Sequence, residues 1–281
     1  MLCHIRRFSV QTPIKATIIP VLHHSVASPT AEQIRSLRPT QLFLETDDAR
    51  LHACISSLIS GAPLSAPSRA DIVATVHGGL LTRELKEVVE VGREIGSAIY
   101  CVDRPSGITQ NRVAKAVLNP VVFKGFLKYA AESVSTTRES SQAPHAIGSK
   151  LSASLLSLAP TVHSALIKER AEFISAQVSS LAQENERVAV VVGAALVPEI
   201  EAILSDSMRL EKAVARLKAG ELTFKGASLW PLVILLYLVV PAVIAGTFWF
   251  GSVRWVLRKL RRIFGVPDEG DVVRPKVLSN S

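Results

Sequence analysis

The 281-residue chain holds only three cysteines, Cys3, Cys54 and Cys101, widely spaced and with no Cys-x-x-Cys pair. So small and scattered a set indicates neither a disulfide framework nor a zinc site, and it suits a reducing compartment. Internal repeats are absent. Disorder is excluded by composition, with 48% hydrophobic against 20% charged residues. A basic surface is missing too, despite a net charge of +8. Residues 1–31 contain no acid and carry Arg6, Arg7 and Lys15, while Arg254, Arg258, Lys259, Arg261 and Arg262 crowd into nine positions; together these ends account for the whole excess. Between them, residues 32–253 hold 22 bases and 21 acids, so a nucleic-acid partner is not expected.

Long apolar runs are absent but for one. From Lys225 to Arg254 lie 28 residues without a charge, and Leu229–Phe250 reads LWPLVILLYLVVPAVIAGTFWF. About 20 apolar residues cross roughly 30 Å of hydrocarbon, so residues 227–253 are expected to form a transmembrane helix. All three tryptophans, Trp230, Trp249 and Trp255, flank it at interfacial positions. Pro231 suits the first turn, Pro241 should kink the helix, and Ala242 and Gly246 form a small-xxx-small pair. The basic cluster Arg254–Arg262 favours the side with anionic lipid. Residues 1–14, basic and hydroxylated, have the composition of a mitochondrial presequence, and Arg6-Arg7-Phe8-Ser9 is similar to a processing step; an ordinary basic N-terminus is the alternative.

The body alternates apolar β-type runs with helix-period segments. Strands are expected at Ala16–Leu22, Gln41–Glu45, Ala98–Val102 and Val188–Val192. Helices are expected at Pro29–Leu37, from Asp47 (as cap) to Ile59, from Thr82 to a stop at Gly96, and from Thr161 to Leu181. Residues 132–150, rich in Ser, Thr and Gln, read as a linker or mobile insertion, and residues 207–226 as a helical connector to the membrane. This pattern predicts an α/β layered domain over 15–206, with a mixed or parallel sheet flanked by helices.

In such sheets, ligands gather beyond the carboxyl ends of the strands. Those ends carry His23-His24-Ser25, Glu45-Thr46-Asp47-Asp48, Asp103-Arg104-Pro105 and Gly193-Ala194-Ala195-Leu196. Arg170 shares an apolar helical stripe with Leu166, Phe173 and Ile174, so it should have a carboxylate partner. For Glu45, Asp103 and Arg170 a buried ion-pair network stands beside a functional role. For His23 a hydrogen-bonded structural histidine stands beside metal or acid–base chemistry. Gly193 is expected to allow a tight strand-to-helix turn.

The ordered blocks His23-His24-Ser25, Pro39 with Leu42–Asp47 and Arg50, Val102–Pro105, Lys168-Glu169-Arg170 and Val191–Ala195 resemble the TraB/PrgY family, which is related to the Tiki metalloproteases. The resemblance covers about residues 16–204. It implies candidate catalytic residues His23, Glu45, Asp103, Glu169 and Arg170, with His23 and Glu45 as candidate metal ligands. The family pattern has two Gly-x-x-His motifs. Here the first reads Pro20-Val21-Leu22-His23, without the glycine, and the second Gly193-Ala194-Ala195-Leu196, without the histidine. Leucine neither binds a metal nor carries a proton, and catalytic zinc takes three protein ligands; no spacing rule points to His24 or His163 as a substitute.

Three functions follow as expectations. The first is a non-catalytic, membrane-anchored scaffold or accessory subunit of a mitochondrial membrane complex, with no cofactor and with membrane lipid and other membrane subunits as partners. The second is a membrane-anchored hydrolase using a divalent metal. The third is a tail-anchored tether of the outer mitochondrial or endoplasmic reticulum membrane.

Overall fold

The computed structural model describes residues 16–21, 30–60, 82–139, 144–184, 186–224 and 226–241. The basic N-terminal segment, His23, His24, Gly246, Phe250 and the cluster Arg254–Arg262 lie outside the described residues. The chain divides into two units, Met1–Leu229 and Trp230–Ser281.

In the first unit the four apolar runs form one sheet: β1 (Ala16–Val21), β2 (Gln41–Leu44), β3 (Ala98–Cys101) and β4 (Val188–Gly193), in the order β1-β4-β2-β3. All pairings are parallel, which resolves the expected mixed-or-parallel sheet. β2 and β4 are buried at every position, as strands covered on both faces must be. The register sets Ile19 and Leu44 beside Val191, and Leu42 beside Ala189. These side chains share one face and pack with Ile34 of α1 (Thr30–Leu37), Cys54 of α2 (Asp48–Ser60) and Leu85, Val88 and Val89 of α3 (Thr82–Glu94). The steps β1→β2→β3 run one way along the sheet and β3→β4 runs back. Right-handed crossovers therefore place the helices between β3 and β4 on the opposite face. Phe43, stacked on Tyr100 with ring centroids 5.0 Å apart, points to that face by strand alternation, and Glu45 follows it.

The chain from β3 to β4 runs through α4 (Ser106–Val117), α5 (Pro120–Glu139), α6 (Pro144–Leu158), α7 (Pro160–His163), a π-helical turn (Ser164–Lys168) and α8 (Glu169–Leu181). After β4 come a 3₁₀ turn (Ala194–Leu196), α9 (Val197–Leu204) and α10 (Ser207–Lys218). The expected linker at 132–150 is thus largely helical in the described residues. Serine hydroxyls there bond back along their own helices, Ser133 Oγ to Ala130 O at 2.9 Å and Ser149 Oγ to His145 O at 3.0 Å. Such bonds satisfy a polar composition without ending the helix, and Ile147 and Leu155 are buried. The expected connector also differs: α10 docks on α8 and buries Leu210, Ala213 and Val214, so it belongs to the body.

The predicted stop at Gly96 holds. Gly96, at φ +76°, ends the α3 segment, as an αL C-terminal residue does. Two other glycines permit close packing instead. A Cβ on Gly148 would lie 2.0 Å from the Ala194 carbonyl oxygen, and one on Gly125 would lie 1.9 Å from that of Leu158.

In the second unit a helix starts at Trp230 rather than 227, with Pro231 in its first turn: α11 (Trp230–Ile234), followed by a π-helical turn (Leu235–Val239). The Val240 amide reaches back five residues to Leu235 O, immediately before Pro241, where a kink was expected. Leu232, Ile234, Leu235, Leu236, Leu238 and Val239 are exposed. No helix among the described residues is long and apolar enough to cross a membrane, and residues 242–253 of the expected span lie outside them.

Candidate functional site

At the carboxyl edge of the sheet the charged side chains flagged by the sequence come together. Glu45, one residue past β2, is fully buried. It accepts from Arg170 Nη2 through Oε1 and from the Gly193 amide, at the end of β4, through Oε2. Asp103, just past β3, takes Arg170 Nη2 at 2.7 Å and Nε at 3.3 Å. Arg170 thus bridges the ends of two strands from the first turn of α8, and the carboxylate partner expected for it is present twice. Burial acts to lower its pKa, but Asp103 and then Glu45 outweigh that and hold it above the ordinary arginine value.

A second cluster continues from the first. Arg104 is 1% exposed and spends its donors on Thr109 Oγ1 (2.8 Å), Ala165 O (2.7 Å) and Glu169 Oε2 (3.1 Å). Glu169 also takes Arg112 Nη1. Burial pushes the Arg104 guanidinium down to about 10, with Glu169 opposing the shift and Arg112 adding to it, so it stays charged at neutral pH. Across the two clusters three acids, Glu45, Asp103 and Glu169, face three bases, Arg104, Arg112 and Arg170, so the charges cancel.

The π turn explains how Arg104 is seated. The Glu169 amide bonds Ser164 O, five residues back. An α-helical Glu169 would have bonded Ala165 O, and that carbonyl accepts Arg104 instead. Asp47 fulfils its expected cap, taking the Arg50 amide at 2.9 Å, and its other oxygen meets the Ser106 amide of α4 at 3.4 Å. Gly193 differs from expectation in its reason. Its φ of −57° is open to any residue, so the tight turn there does not need glycine's freedom. Leu196, in the second motif's histidine position, is 1% exposed and belongs to the core.

Sequence reasoning did not select Arg104, Arg112 or the π turn. Arg104 stood beside Asp103 before a proline, but α4 carried no pattern that marked Arg112. Nor do the carboxylates fit a divalent metal as arranged. Glu45 and Asp103 are committed to one guanidinium, Glu169 to two others, and among the described residues no three His, Cys, Asp or Glu side chains converge as a cation site. The buried side-chain atom without a partner beside them is the Thr46 hydroxyl, a weaker cation ligand than a carboxylate. Cys101 offers no nucleophile: burial, then a hydrogen bond to Asp48, pushes its thiol up to about 12. His163 contacts Ser152 Oγ at 3.0 Å, away from this cluster in its hydrogen bonds, and burial holds its pKa down.

No family model, curated protein or solved structure matches the chain.

Proposed function

We propose that this chain is a membrane-anchored, TraB-like protein whose α/β body is a non-catalytic scaffold or accessory subunit of a mitochondrial membrane complex. One observation supports the reading most: where a parallel sheet would present reactive groups, Glu45, Asp103 and Glu169 are each held by buried or half-buried arginines. A general base must be able to take a proton, and a metal ligand must offer a lone pair. A carboxylate saturated by guanidinium does neither without breaking the pair. Such a network instead fixes strand ends and helices in one arrangement, at little net gain in stability over an apolar core. The apolar run 229–250 supports the membrane assignment, and residues 1–14 support the compartment.

Affinity purification through the C-terminus from solubilised mitochondria, followed by blue-native electrophoresis and mass spectrometry, tests this. The expected outcome is a stable high-mass assembly with defined membrane partners. Migration only as a free monomer would refute the subunit role. A stoichiometric divalent metal, lost on His23→Ala, would replace the reading with the hydrolase.

A further inference from the structure

After α10 the chain makes a hydrogen-bonded turn, Gly220–Thr223, and leaves the next side chain, an aromatic one, exposed. Gly220, at φ +73°, ends α10; its amide bonds Leu217 O at 3.0 Å, and the Glu221 amide bonds Arg216 O at 3.1 Å. This is the paired closure of a helix end that a left-handed glycine permits. Leu222 is completely buried and plugs the turn into the body, whereas Phe224, two residues on, is 74% exposed. Two residues of α4 then clasp the segment. Arg112 Nη2 donates to Glu221 O, and Asn111 Nδ2 donates to Gly226 O at 2.8 Å. Arg216 closes the ring by donating from Nε to the Glu221 carboxylate at 2.9 Å. The same Arg112 holds Glu169, so the turn is wired to the strand-end network.

Phe224 is as exposed as Val121, Ile59 and Met208, and differs in standing on a turn clasped from two sides and close in sequence to the apolar run. We infer that Gly220–Phe224 is a collar that seats the body on the bilayer surface, with Phe224 inserted among the lipid headgroups and with Arg112, on Glu221, and Asn111, on Gly226, holding it in place. This rests on the membrane-anchored reading above. Chain length restricts the choice of partner: Phe224 lies six residues before Trp230, within roughly 20 Å of it even if fully extended. Chain length thus keeps the ring within reach of the interfacial zone that a helix exposing Leu232 and Leu235 would enter, the zone aromatic rings prefer. Lys218, exposed in the last turn of α10, adds the charge that anionic headgroups attract.

The test reconstitutes the full chain, its three cysteines replaced by alanine, in phosphatidylcholine–phosphatidylglycerol vesicles. An environment-sensitive fluorophore is placed through Phe224→Cys or, separately, Leu236→Cys, and quenching is measured with lipids spin-labelled near the glycerol or deep in the acyl chain. The expected result is shallow quenching at 224 and deep quenching at 236. Adding Asn111→Ala should remove most of the quenching at 224 and leave that at 236. If 236 is quenched and 224 is not, the collar is refuted while the anchor stands; a blue-shifted but unquenched label at 224 refutes it in favour of a protein partner. If neither is quenched, the membrane-anchored reading itself has failed. Unchanged quenching at 224 in the Asn111→Ala chain would overturn the clasp.

Discussion

The two ends of the sheet solve the same problem by opposite means. At the amino end, β2 and β4 begin beside Thr40 and Arg187, which close on each other: the Thr40 amide bonds Arg187 O at 2.9 Å, and the Arg187 amide bonds Thr40 Oγ1 at 3.0 Å. Arg187 is exposed, and its Nε donates to Arg38 O at 2.9 Å. At the carboxyl end the same two strands are joined through Glu45, which is fully buried and ionic. The fold keeps its constraint at the carboxyl end. Neutral bonds at a wet edge each contribute about 1 kcal/mol and survive the loss of a neighbour, because water replaces it. A buried ion network contributes little while intact and is costly to break, because each lost partner strands a charge out of water.

The largest test of that contrast is Arg170→Ala. Stranding Glu45 and Asp103 should lower unfolding stability by about 3–5 kcal/mol, read by urea denaturation of the full chain in detergent. A loss below about 1 kcal/mol would mean that water reaches these carboxylates and the two ends are alike. Gly148→Ala comes next, because it forces α6 off the Ala194 carbonyl beside β4; a loss of about 1–3 kcal/mol is expected in the same assay. Full tolerance would show that the carboxyl end can shift.

A third test uses pH. Burial lowers the pKa of His163, with Glu199 opposing and Lys168 assisting. The unfolded chain therefore binds the proton more readily than the folded one. Stability should be constant above the ordinary histidine value of about 6.5 and should fall as pH drops through it towards the lower folded value. The melting temperature followed from pH 7.5 to 5, in about half-unit steps, should show that slope, and His163→Gln should flatten it. An unchanged slope would assign the pH dependence to other groups. The smallest effect belongs to the amino end, where Arg187→Ala should change stability by no more than about 0.5 kcal/mol. A cost approaching that of Arg170→Ala would erase the comparison.

Much of this was legible in the chain. The four strands fell within a residue of expectation at each end, because continuous apolar β-type runs admit little else in a sheet covered on both faces. The need for an Arg170 partner was legible for a similar reason: helical spacing put a guanidinium on an apolar stripe, and an unpaired charge there is prohibitively costly. The helices across 132–158 were not legible, since Ser, Thr and Gln look like loop residues until tertiary packing buries Ile147 and Leu155. Arg104 and Arg112 stayed hidden because their partner Glu169 lies 65 and 57 residues away in the chain.

Local choices were already written in the chain: which runs extend, where glycine at 96 ends a helix, where charge is absent for 28 residues, and that position 196 carries no imidazole. Those follow from side-chain shape, backbone freedom and transfer energy, which act within a few residues. Strand order, the pairing of Glu45 and Asp103 with one arginine, and the clasp of Asn111 and Arg112 on the turn after α10 were decided only in three dimensions. Each depends on groups far apart in the chain sharing a space from which water is excluded. Only there does a charge have to find its partner.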